Sequence, residues 1–193
     1  MQPPSECAAN AKDELRAGMK RRRASIDAAS RDHAALGLAQ ALALSDAWRA
    51  SHTIANFMSF GSEINTEAID RLAREQGKIV VYPRVANECE LMFHRWSPGE
   101  ILEQSAFGTL EPCAQAPSVY PSAIDMTLVP LLACDVRGFR LGYGGGFYDR
   151  FLASSATRSV GVGFHWQLIS QVPNEAHDQR LHAFASEQGI TVF

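Results

Sequence analysis

Continuous apolar runs of strand length alternate with helical segments along most of this chain. Strands that are apolar at every position are buried on both faces, which is typical of a parallel sheet covered by helices. We therefore predict an α/β fold: a single three-layer domain with a mostly parallel sheet and helices on both faces. The predicted strands are residues 53–57, 78–83, 91–96, 126–133, 159–164 and 190–193, and the predicted helices are residues 8–26, 31–48, 67–76 and 147–153.

A length of 193 residues is enough for one core that buries roughly 70% of the unfolded surface. We predict one domain over residues 1–193, with residues 1–7 as a candidate disordered segment. Residues 97–124 are rich in Pro, Ser and Gly and are predicted to be connecting structure. Ser30 is the candidate N-cap of the second helix.

The composition limits the class of protein. A hydrophobic content of 46% and a charged content of 20% are those of an ordinary globular chain. The four cysteines are widely scattered without a C-x-x-C pair, which indicates neither a zinc knuckle nor a compact disulfide scaffold. A reducing compartment is the simplest setting for such a chain. The N-terminus lacks the apolar core of a secretory signal, and the apolar stretches are far shorter than the roughly 18 residues of a membrane helix. We expect a cytoplasmic protein that does not bind membranes.

The segment at residues 138–150 combines glycines, cations, aromatic rings and a carboxylate. It reads G-F-R-L-G-Y-G-G-G-F-Y-D-R, and five of the fourteen glycines fall within its first nine residues. Glycine-rich main chain can turn several N–H groups towards one large anion. We predict a phosphate-binding loop, with Arg140 at its start and Asp149 as a candidate Mg²⁺ ligand at its end. A flexible structural loop is the alternative.

The common nucleotide-binding and hydrolase motifs do not fit this chain. A P-loop requires Gly-Lys-Ser/Thr, and a dinucleotide fingerprint requires a third glycine where Phe147 stands. The G-x-S-x-G motif of covalent hydrolases is also missing. We assign no histidine to metal binding or base catalysis.

Positive charge is concentrated in residues 12–23. This segment holds six basic and two acidic residues, a net charge of +4, whereas the rest of the chain carries −7. Lys12 and Arg16 lie one helical turn apart, where two cations can face one polyphosphate. A solvated basic face is the alternative. Nucleic-acid binding is disfavoured because the basic segment is short and has no interleaved aromatic residues.

Parallel sheets bind ligands beyond the carboxyl ends of their strands. Residues 59–63, residues 83–84 and the glycine-rich loop follow predicted strands, and we expect them to line one crevice. Glu63 is a candidate acceptor for the N–H donors of a heterocyclic ligand, with a surface charge or an ion pair with Arg84 as alternatives. For Asp149, charge compensation at a helix N-terminus is the alternative to Mg²⁺ binding.

Taken together, these segments resemble the 5-formyltetrahydrofolate cyclo-ligase family, also called methenyltetrahydrofolate synthetases. The longest match joins L-V-P-L-L-A-C-D at residues 128–135 to the glycine-rich segment at residues 138–149. Supporting matches lie in family order at residues 12–16, 58–66, 82–84, 107–112 and 167–178. The resemblance therefore covers nearly the whole chain.

The resemblance implies an ATP-dependent ligase that converts 5-formyltetrahydrofolate to 5,10-methenyltetrahydrofolate and releases ADP and phosphate. ATP would phosphorylate the formyl oxygen, and N10 would then attack the activated carbon as phosphate leaves. The implied partners are two small-molecule substrates, 5-formyltetrahydrofolate and ATP, with Mg²⁺ as the cofactor. We expect a monomer that binds no nucleic acid. A non-catalytic relative that binds folate or nucleotide is the alternative.

The resemblance also implies roles for individual residues, carried over by position. The implied ATP-binding residues are Lys12, Arg16, Arg140, Leu141, Gly142, Tyr143, Gly144, Gly145, Gly146, Phe147 and Tyr148. The implied folate-binding residues are Met58, Glu63, Tyr143, Gly144, Gly145, Gly146 and Phe147. Arg140 and Tyr148 are the implied catalytic residues, and Asp149 and Asp178 are the implied Mg²⁺ ligands.

Two positions depart from the family pattern. Phe147 stands where many relatives have tyrosine, and Ala-Ser-Glu at residues 185–187 stands where many read Val-Thr-Glu. Both changes concern local packing or folate affinity. The cationic, glycine and aspartate positions are all present, which favours an active enzyme over a non-catalytic relative.

Overall fold

The structure, a computed structural model, describes residues 6–87 and 90–193. The helices are α1 (Glu6–Ala24), α2 (Ala28–Ala43), α3 (Asp46–Ala50), α4 (Glu67–Glu75) and α5 (Phe147–Ala153). The strands are β1 (Thr53–Ala55), β2 (Ile79–Val85), β3 (Leu91–Arg95), β4 (Leu102–Gln104), β5 (Leu110–Pro112), β6 (Ser118–Val119), β7 (Met126–Pro130), β8 (Ala133–Asp135), β9 (Arg140–Leu141), β10 (Arg158–Val162), β11 (Leu168–Ile169), β12 (Ala183–Ser186) and β13 (Gly189–Val192).

An eight-stranded sheet forms the centre of the fold, in the order β13-β12-β10-β7-β1-β2-β3-β6. The five strands from β12 to β2 are parallel, and the outer strands β13, β3 and β6 pair in the antiparallel sense. A smaller sheet has the order β11-β8-β9, and β4 and β5 form a hairpin. The predicted α/β fold with a mostly parallel sheet is confirmed.

Helices cover both faces of the large sheet. On one face, Leu38 and Leu42 of α2, Trp48 of α3 and Ile69 of α4 are fully buried against strand residues such as Ile54. On the other face, Phe151 of α5 packs with Ala55, Val81 and Phe93. Fully burying a side chain of this size stabilises the fold by about 1.5–3 kcal/mol. Because both faces of the strands are buried, their residues are apolar at successive positions.

Helix α1 packs against the small sheet. Met19 and the partly buried Leu15 contact Leu132, Ala133 and Leu141. Because α1 carries the basic segment and the small sheet leads into the glycine-rich loop, this contact brings the two candidate phosphate-binding elements together. Among the described residues, no helix is both long and apolar enough to cross a membrane.

The predicted second helix, residues 31–48, is two helices. Asp27, and not Ser30, is the N-cap of α2: its carboxylate accepts a hydrogen bond from the Ser30 backbone N–H at 2.9 Å. Helix α2 ends at Ala43, and the Ser45 side chain caps α3 by accepting from the Trp48 N–H. Ser and Asp both favour N-caps, so local preference alone did not distinguish the two positions.

The predicted strand at residues 126–133 is also two elements. β7 belongs to the large sheet and β8 to the small one, and the buried Gln167 amide donates to the carbonyls of Leu131 and Leu132 between them. Both sheets bury this chain, so the apolar run is continuous across the change of partner. The region at residues 97–124 contains three short strands, and β12 is a parallel strand that the prediction lacked.

Three further predictions concern residues 83–84 and the two ends of the chain. Residues 83–84 lie inside β2, so the prediction that they follow the strand is wrong. Residues 1–5, most of the candidate disordered segment, lie outside the described residues, and α1 begins at Glu6. The edge strand predicted at the C-terminus is confirmed as β13, which pairs only with β12 in the described chain.

Candidate active site

The glycine-rich loop runs from the end of β9 to the start of α5. Gly144 has φ 106° and Gly146, the N-cap of α5, has φ 67°. Residues with a side chain rarely adopt these backbone conformations, which explains why the loop needs glycine at both positions. The Arg150 guanidinium closes the turn by donating to the Gly145 carbonyl at 2.9 Å.

Two cations of α1 reach this part of the molecule. Arg16 Nε donates to the Gly142 carbonyl at 3.1 Å, and a Cβ added at Gly144 would lie 3.6 Å from Arg16 Nη2. Lys12 Nζ lies 2.8 Å from Glu175 Oε2 and 3.0 Å from Asp178 Oδ2. Burial opposes the charge of Lys12, but the hydrogen bonds to these two carboxylates outweigh it and raise the pKa of the ammonium group. Both cations therefore reach the loop region, and Arg16 Nη1 also pairs with the exposed Asp13 at 2.6 Å.

Arg140 pairs with the carboxylate at the other end of the loop. Its side chain is 5% exposed, and Nη2 lies 3.0 Å from Asp149 Oδ2. Asp149 Oδ1 accepts a hydrogen bond from the backbone N–H of Gln179 at 2.9 Å. Asp149 therefore lies beside Asp178, which pairs with Lys12. Arg140, Asp149, Asp178 and Lys12 therefore form one group of two cations and two carboxylates.

Glu63 lies on the loop between β1 and α4. Ser59 fixes this loop by donating its hydroxyl to the Ile64 carbonyl at 2.9 Å. The Glu63 side chain is 8% exposed; Oε2 accepts the Phe60 N–H at 3.0 Å, and Oε1 accepts the Tyr143 hydroxyl at 2.8 Å. Burial and the nearby Glu63 charge raise the pKa of Tyr143 to about 12, so the phenol is a hydrogen-bond donor at neutral pH.

Arg23 completes this contact from α1. The residue is only 4% exposed, and its guanidinium donates to Ser62 Oγ at 3.0 Å and to the Tyr143 hydroxyl. Nη1 lies 4.0 Å from Glu63 Oε1. A buried arginine therefore joins the helix, the Glu63 loop and the glycine-rich loop.

A crevice beside Arg23 and Glu63 is too narrow in this structure to admit a water molecule. Its walls include Phe57, Pro130 and Val162, which lie at the carboxyl ends of β1, β7 and β10. A larger cleft of about 490 Å³ lies at the amino ends of the same strands. The carboxyl ends of the strands are where parallel sheets bind ligands, and they hold the paired charges described above, so we place the active site there and not at the larger cleft.

Tyr148 lies in the first turn of α5. Its hydroxyl is buried and has no hydrogen-bond partner among the described residues. Burial and the negative charge of Glu63 raise its pKa, and Arg140 opposes that rise, so both charges are close enough to act on the phenol. An unpaired buried hydroxyl costs about 1–3 kcal/mol, which favours the view that a ligand supplies its partner.

Aromatic rings border the loop on the side of the β4–β5 hairpin. Phe107 at the tip of the hairpin contacts Phe147 edge to face, with ring centroids 5.6 Å apart. Arg84 anchors the hairpin through Glu103 at 2.7 Å and Glu111 at 3.3 Å. Arg84 is thus a partner of the hairpin carboxylates, and the alternative that it pairs with Glu63 is wrong.

The family model for the 5-formyltetrahydrofolate cyclo-ligase family matches residues 8–187. The chain belongs to the 5-formyltetrahydrofolate cyclo-ligase family. It is 35% identical to the 5-formyltetrahydrofolate cyclo-ligase of Haemophilus influenzae, over 67% of this chain and 73% of that protein. It is 31% identical to the enzyme of the same name from Mycolicibacterium smegmatis, over 93% and 95% of the two chains. The family assignment made from sequence motifs is confirmed.

Solved structures of cyclo-ligase relatives share the fold. The 5,10-methenyltetrahydrofolate synthetase of Aquifex aeolicus is 27% identical and superposes with a TM-score of 0.81, covering 94% of this chain and 92% of that one. The enzyme of the same name from Mycoplasma pneumoniae has a TM-score of 0.75 at 20% identity, covering 91% and 98%, and supports the fold alone.

Most residues that the cyclo-ligase resemblance singled out lie in the site. The structure brings together Lys12, Arg16, Glu63, Arg140, Tyr143, Tyr148, Asp149 and Asp178 around the glycine-rich loop. Met58 is different: it is only partly buried and packs against the main apolar core. Of the two departures from the family pattern, Phe147 packs on Phe107, and Ser186 is a buried residue of β12. Among the described residues, no group of three or more His, Cys, Asp or Glu side chains is arranged to hold a metal ion.

Sequence reasoning missed Arg23 and Glu175. Arg23 continues the stripe of Lys12, Arg16 and Lys20 by one more helical turn, so helical spacing was a signal that it faces the same way. Glu175 lies three residues before Asp178 in a polar loop, and no local pattern indicates that it reaches Lys12, a residue 163 positions away.

Proposed function

We propose that this protein is an ATP-dependent ligase that converts 5-formyltetrahydrofolate to 5,10-methenyltetrahydrofolate, with release of ADP and phosphate. Family membership supports the reaction. The observation that carries the residue assignment is the position of the glycine-rich loop. It touches Arg16 on one side and Glu63 through Tyr143 on the other, and the Arg140–Asp149 ion pair joins its two ends. One loop thereby separates a cationic region from a region with a buried carboxylate.

The nucleotide side consists of Lys12, Arg16, Arg140 and the loop main chain at residues 141–148. Arginine and lysine form charge-assisted hydrogen bonds with phosphate oxygens, and glycine-rich main chain presents N–H donors without Cβ interference. In phosphoryl transfer the protein mainly positions the groups and neutralises charge. The paired cations around the loop are suited to both tasks.

The folate side consists of Met58, Glu63 and residues 143–147. A pterin ring carries adjacent N–H donors, and a buried carboxylate is a strong acceptor for them. The crevice beside Glu63 includes the apolar side chains of Phe57 and Val162, and it would have to widen to admit a flat heterocycle. The loop residues between the two sides would lie at the point where the phosphoryl group is transferred.

The chemical sequence needs no covalent bond to the protein. The formyl oxygen attacks the γ-phosphorus and ADP leaves; N10 then attacks the activated formyl carbon, the C–O bond breaks and phosphate departs as N10 loses its proton. Arg140 would stabilise the charge that develops on the transferred group. The buried Tyr148 hydroxyl, whose raised pKa keeps it protonated at neutral pH, would donate a hydrogen bond at the same place.

The residues present fit a Mg²⁺ ion that arrives with ATP. Mg²⁺ is usually held by one or two carboxylates together with substrate phosphates, so a cage built only from protein ligands is not needed. Asp149 and Asp178 are brought together by the hydrogen bond from the Gln179 N–H to Asp149, and each now pairs with a cation. We propose these two aspartates as the ligands. Bound Mg²⁺ would neutralise phosphate charge.

The compartment and the assembly state are also proposals. The Cys113 and Cys134 side chains are free thiols, and burial raises the pKa of Cys134 to about 12, which makes it an inert thiol suited to a reducing cytoplasm. We propose a cytoplasmic monomer that acts on small molecules. Light scattering on the purified chain would test the monomer, and a dimer mass would contradict it.

A spectrophotometric assay tests the reaction. Purified protein is mixed with 5-formyltetrahydrofolate, ATP and Mg²⁺, and the absorbance of the methenyltetrahydrofolate product is followed while each component is omitted in turn. We expect product only when all three are present. Folded protein that binds ATP or folate but forms no product would overturn the proposal in favour of a non-catalytic relative. Asp149→Asn serves as the active-site variant: it should need more Mg²⁺ for the same rate.

A further inference from the structure

We propose that Arg23 is a positioning residue of the folate side: its buried guanidinium holds the Glu63 carboxylate and the Tyr143 hydroxyl in place for the folate. The inference deepens the proposed function and rests on it. It concerns a residue to which neither the motifs nor the family resemblance gave a role.

The burial of Arg23 requires an explanation. Its side chain is 5% exposed and the Glu63 side chain 8%, so both charges have left most of their water. Taking an ionised group out of water is costly unless it is paired and hydrogen-bonded. The Arg23 guanidinium meets this requirement by donating hydrogen bonds to Ser62, to the Leu131 carbonyl at 3.4 Å and to Tyr143.

These contacts connect three separate parts of the chain. Arg23 is 39 residues from Ser62, 108 from Leu131 and 120 from Tyr143. Ser62 adjoins Glu63, Leu131 follows β7, and Tyr143 is the side chain of the glycine-rich loop that reaches Glu63. One guanidinium therefore fixes the carboxylate loop, the end of a central strand and the glycine-rich loop relative to each other.

The Tyr143 hydroxyl connects Arg23 to Glu63. Tyr143 accepts from Arg23 and donates to Glu63 Oε1, so a change at Arg23 alters the donor that Glu63 receives. Arg23 also supplies the positive charge within ion-pair distance of the carboxylate. Without it, Glu63 would be buried as an unpaired charge or would turn to water. Either change destabilises or displaces the acceptor that the folate needs.

The three cations of the nucleotide side do not share these contacts. Lys12 and Arg140 pair with Asp178 and Asp149, and Arg16 donates to Gly142. Substitution of Arg23 should therefore affect the two substrates differently. A purely structural arginine would affect both alike.

The experiment compares Arg23→Gln and Arg23→Lys with Arg21→Gln, an exposed cation two positions earlier on the same helix. The kcat and the KM values for both substrates are measured in the methenyltetrahydrofolate assay, and the Kd for 5-formyltetrahydrofolate without ATP is measured by protein fluorescence. We expect Arg23→Gln to raise the folate KM and Kd at least tenfold while the ATP KM stays within twofold. Arg23→Lys should fall between Arg23→Gln and the wild type, and Arg21→Gln should match the wild type.

A folate KM within twofold of wild type in both Arg23 variants would overturn the proposal, and so would an ATP KM that rises by the same factor as the folate KM. If Arg23→Gln fails to fold, Arg23→Lys decides by the same criteria. The wild-type protein separates the two proposals. Wild-type binding of 5-formyltetrahydrofolate without product formation would contradict the ligase activity alone, and the Kd values of the variants would still decide the role of Arg23.

Discussion

The nucleotide side and the folate side of this site are stabilised in different ways. On the nucleotide side, two separate cations each meet carboxylates: Lys12 with Asp178 and Arg140 with Asp149. On the folate side a single cation, Arg23, joins three chain segments. Loss of one pair on the nucleotide side leaves the other in place, whereas loss of Arg23 removes the contacts to Ser62, Leu131 and Tyr143 together and leaves only the Tyr143 hydrogen bond between the two loops. The comparison predicts that a single substitution on the nucleotide side raises the ATP KM and that substitution of Arg23 raises the folate KM.

The largest expected effect concerns Asp135, a residue that supports both sides of the site. Asp135 is fully buried and accepts hydrogen bonds from the backbone N–H groups of Arg137, Phe139 and Val172, so it fixes the turn that leads into the glycine-rich loop. Asp135→Ala should lower the free energy of unfolding by about 3 kcal/mol, since several buried donors lose their acceptor. Urea unfolding measures this.

Asp46→Ala is the matched control for that substitution. Asp46 is an exposed carboxylate paired with Arg49, and its loss should change stability by less than about 0.5 kcal/mol. An Asp135 variant that unfolds at the wild-type urea concentration would contradict the expectation. So would one that loses affinity for only one substrate, because the two sides would then not share this support.

The same carboxylate gives a pH dependence with a definite sign. Burial would raise the pKa of Asp135, but the hydrogen bonds from Val172 and Arg137 outweigh it and hold the pKa below its ordinary value near 3.8. A lowered folded-state pKa adds stability that is present above pH 3.8 and is lost as the pH falls below it. The stability difference between wild type and Asp135→Asn should therefore shrink below pH 3.8. A constant difference down to pH 2 would contradict this.

Lys12→Ala tests the nucleotide side alone. Loss of one charge-assisted contact should raise the ATP KM by about 10- to 100-fold, equivalent to about 1–3 kcal/mol, with the folate KM unchanged. Steady-state kinetics measure both. Arg21→Ala on the same helix is the control for a general loss of positive charge. Unchanged ATP kinetics in Lys12→Ala would remove Lys12 from the site.

Tyr143→Phe sharpens the comparison on the folate side. The change deletes only the hydroxyl shared by Arg23 and Glu63, and one such hydrogen bond contributes about 1 kcal/mol. The folate KM should therefore rise by about fivefold, and the ATP KM should stay constant. Tyr120→Phe, at a tyrosine that is 82% exposed, is the control. Equal rises for the two substrates would show that the two sides are not separable at Tyr143.

Phe107→Ala has the smallest expected effect. It removes one edge-to-face contact with Phe147, which contributes about 0.5–1.5 kcal/mol, and part of that loss is offset by the exposure of the hairpin tip. We expect a two- to fivefold rise in the folate KM. Ile101→Ala, an exposed apolar residue just before the same hairpin, should have no effect. A rise in the ATP KM alone would place Phe107 on the nucleotide side.

Sequence patterns indicated the elements that surround the glycine-rich loop but not the long-range contacts that join them. The glycine-rich loop and the spacing of Lys12 and Arg16 are local patterns, and so are the apolar runs that predicted the parallel sheet. The contacts of Arg23 and Glu175 join residues far apart in the chain, and hydropathy does not encode which side chain meets which. The split of residues 126–133 between two sheets was hidden for the same reason, since both partners bury the run.

The intramolecular ion pairs of the nucleotide side also bear on competition among anions. Orthophosphate or sulfate that approaches Lys12 or Arg140 must separate a cation from its carboxylate, and it leaves that carboxylate beside its own negative charge. A nucleotide that carries a divalent cation satisfies both members of each pair. We therefore expect these ion pairs to discriminate against the simple anions that are abundant in any cell, without a steric barrier.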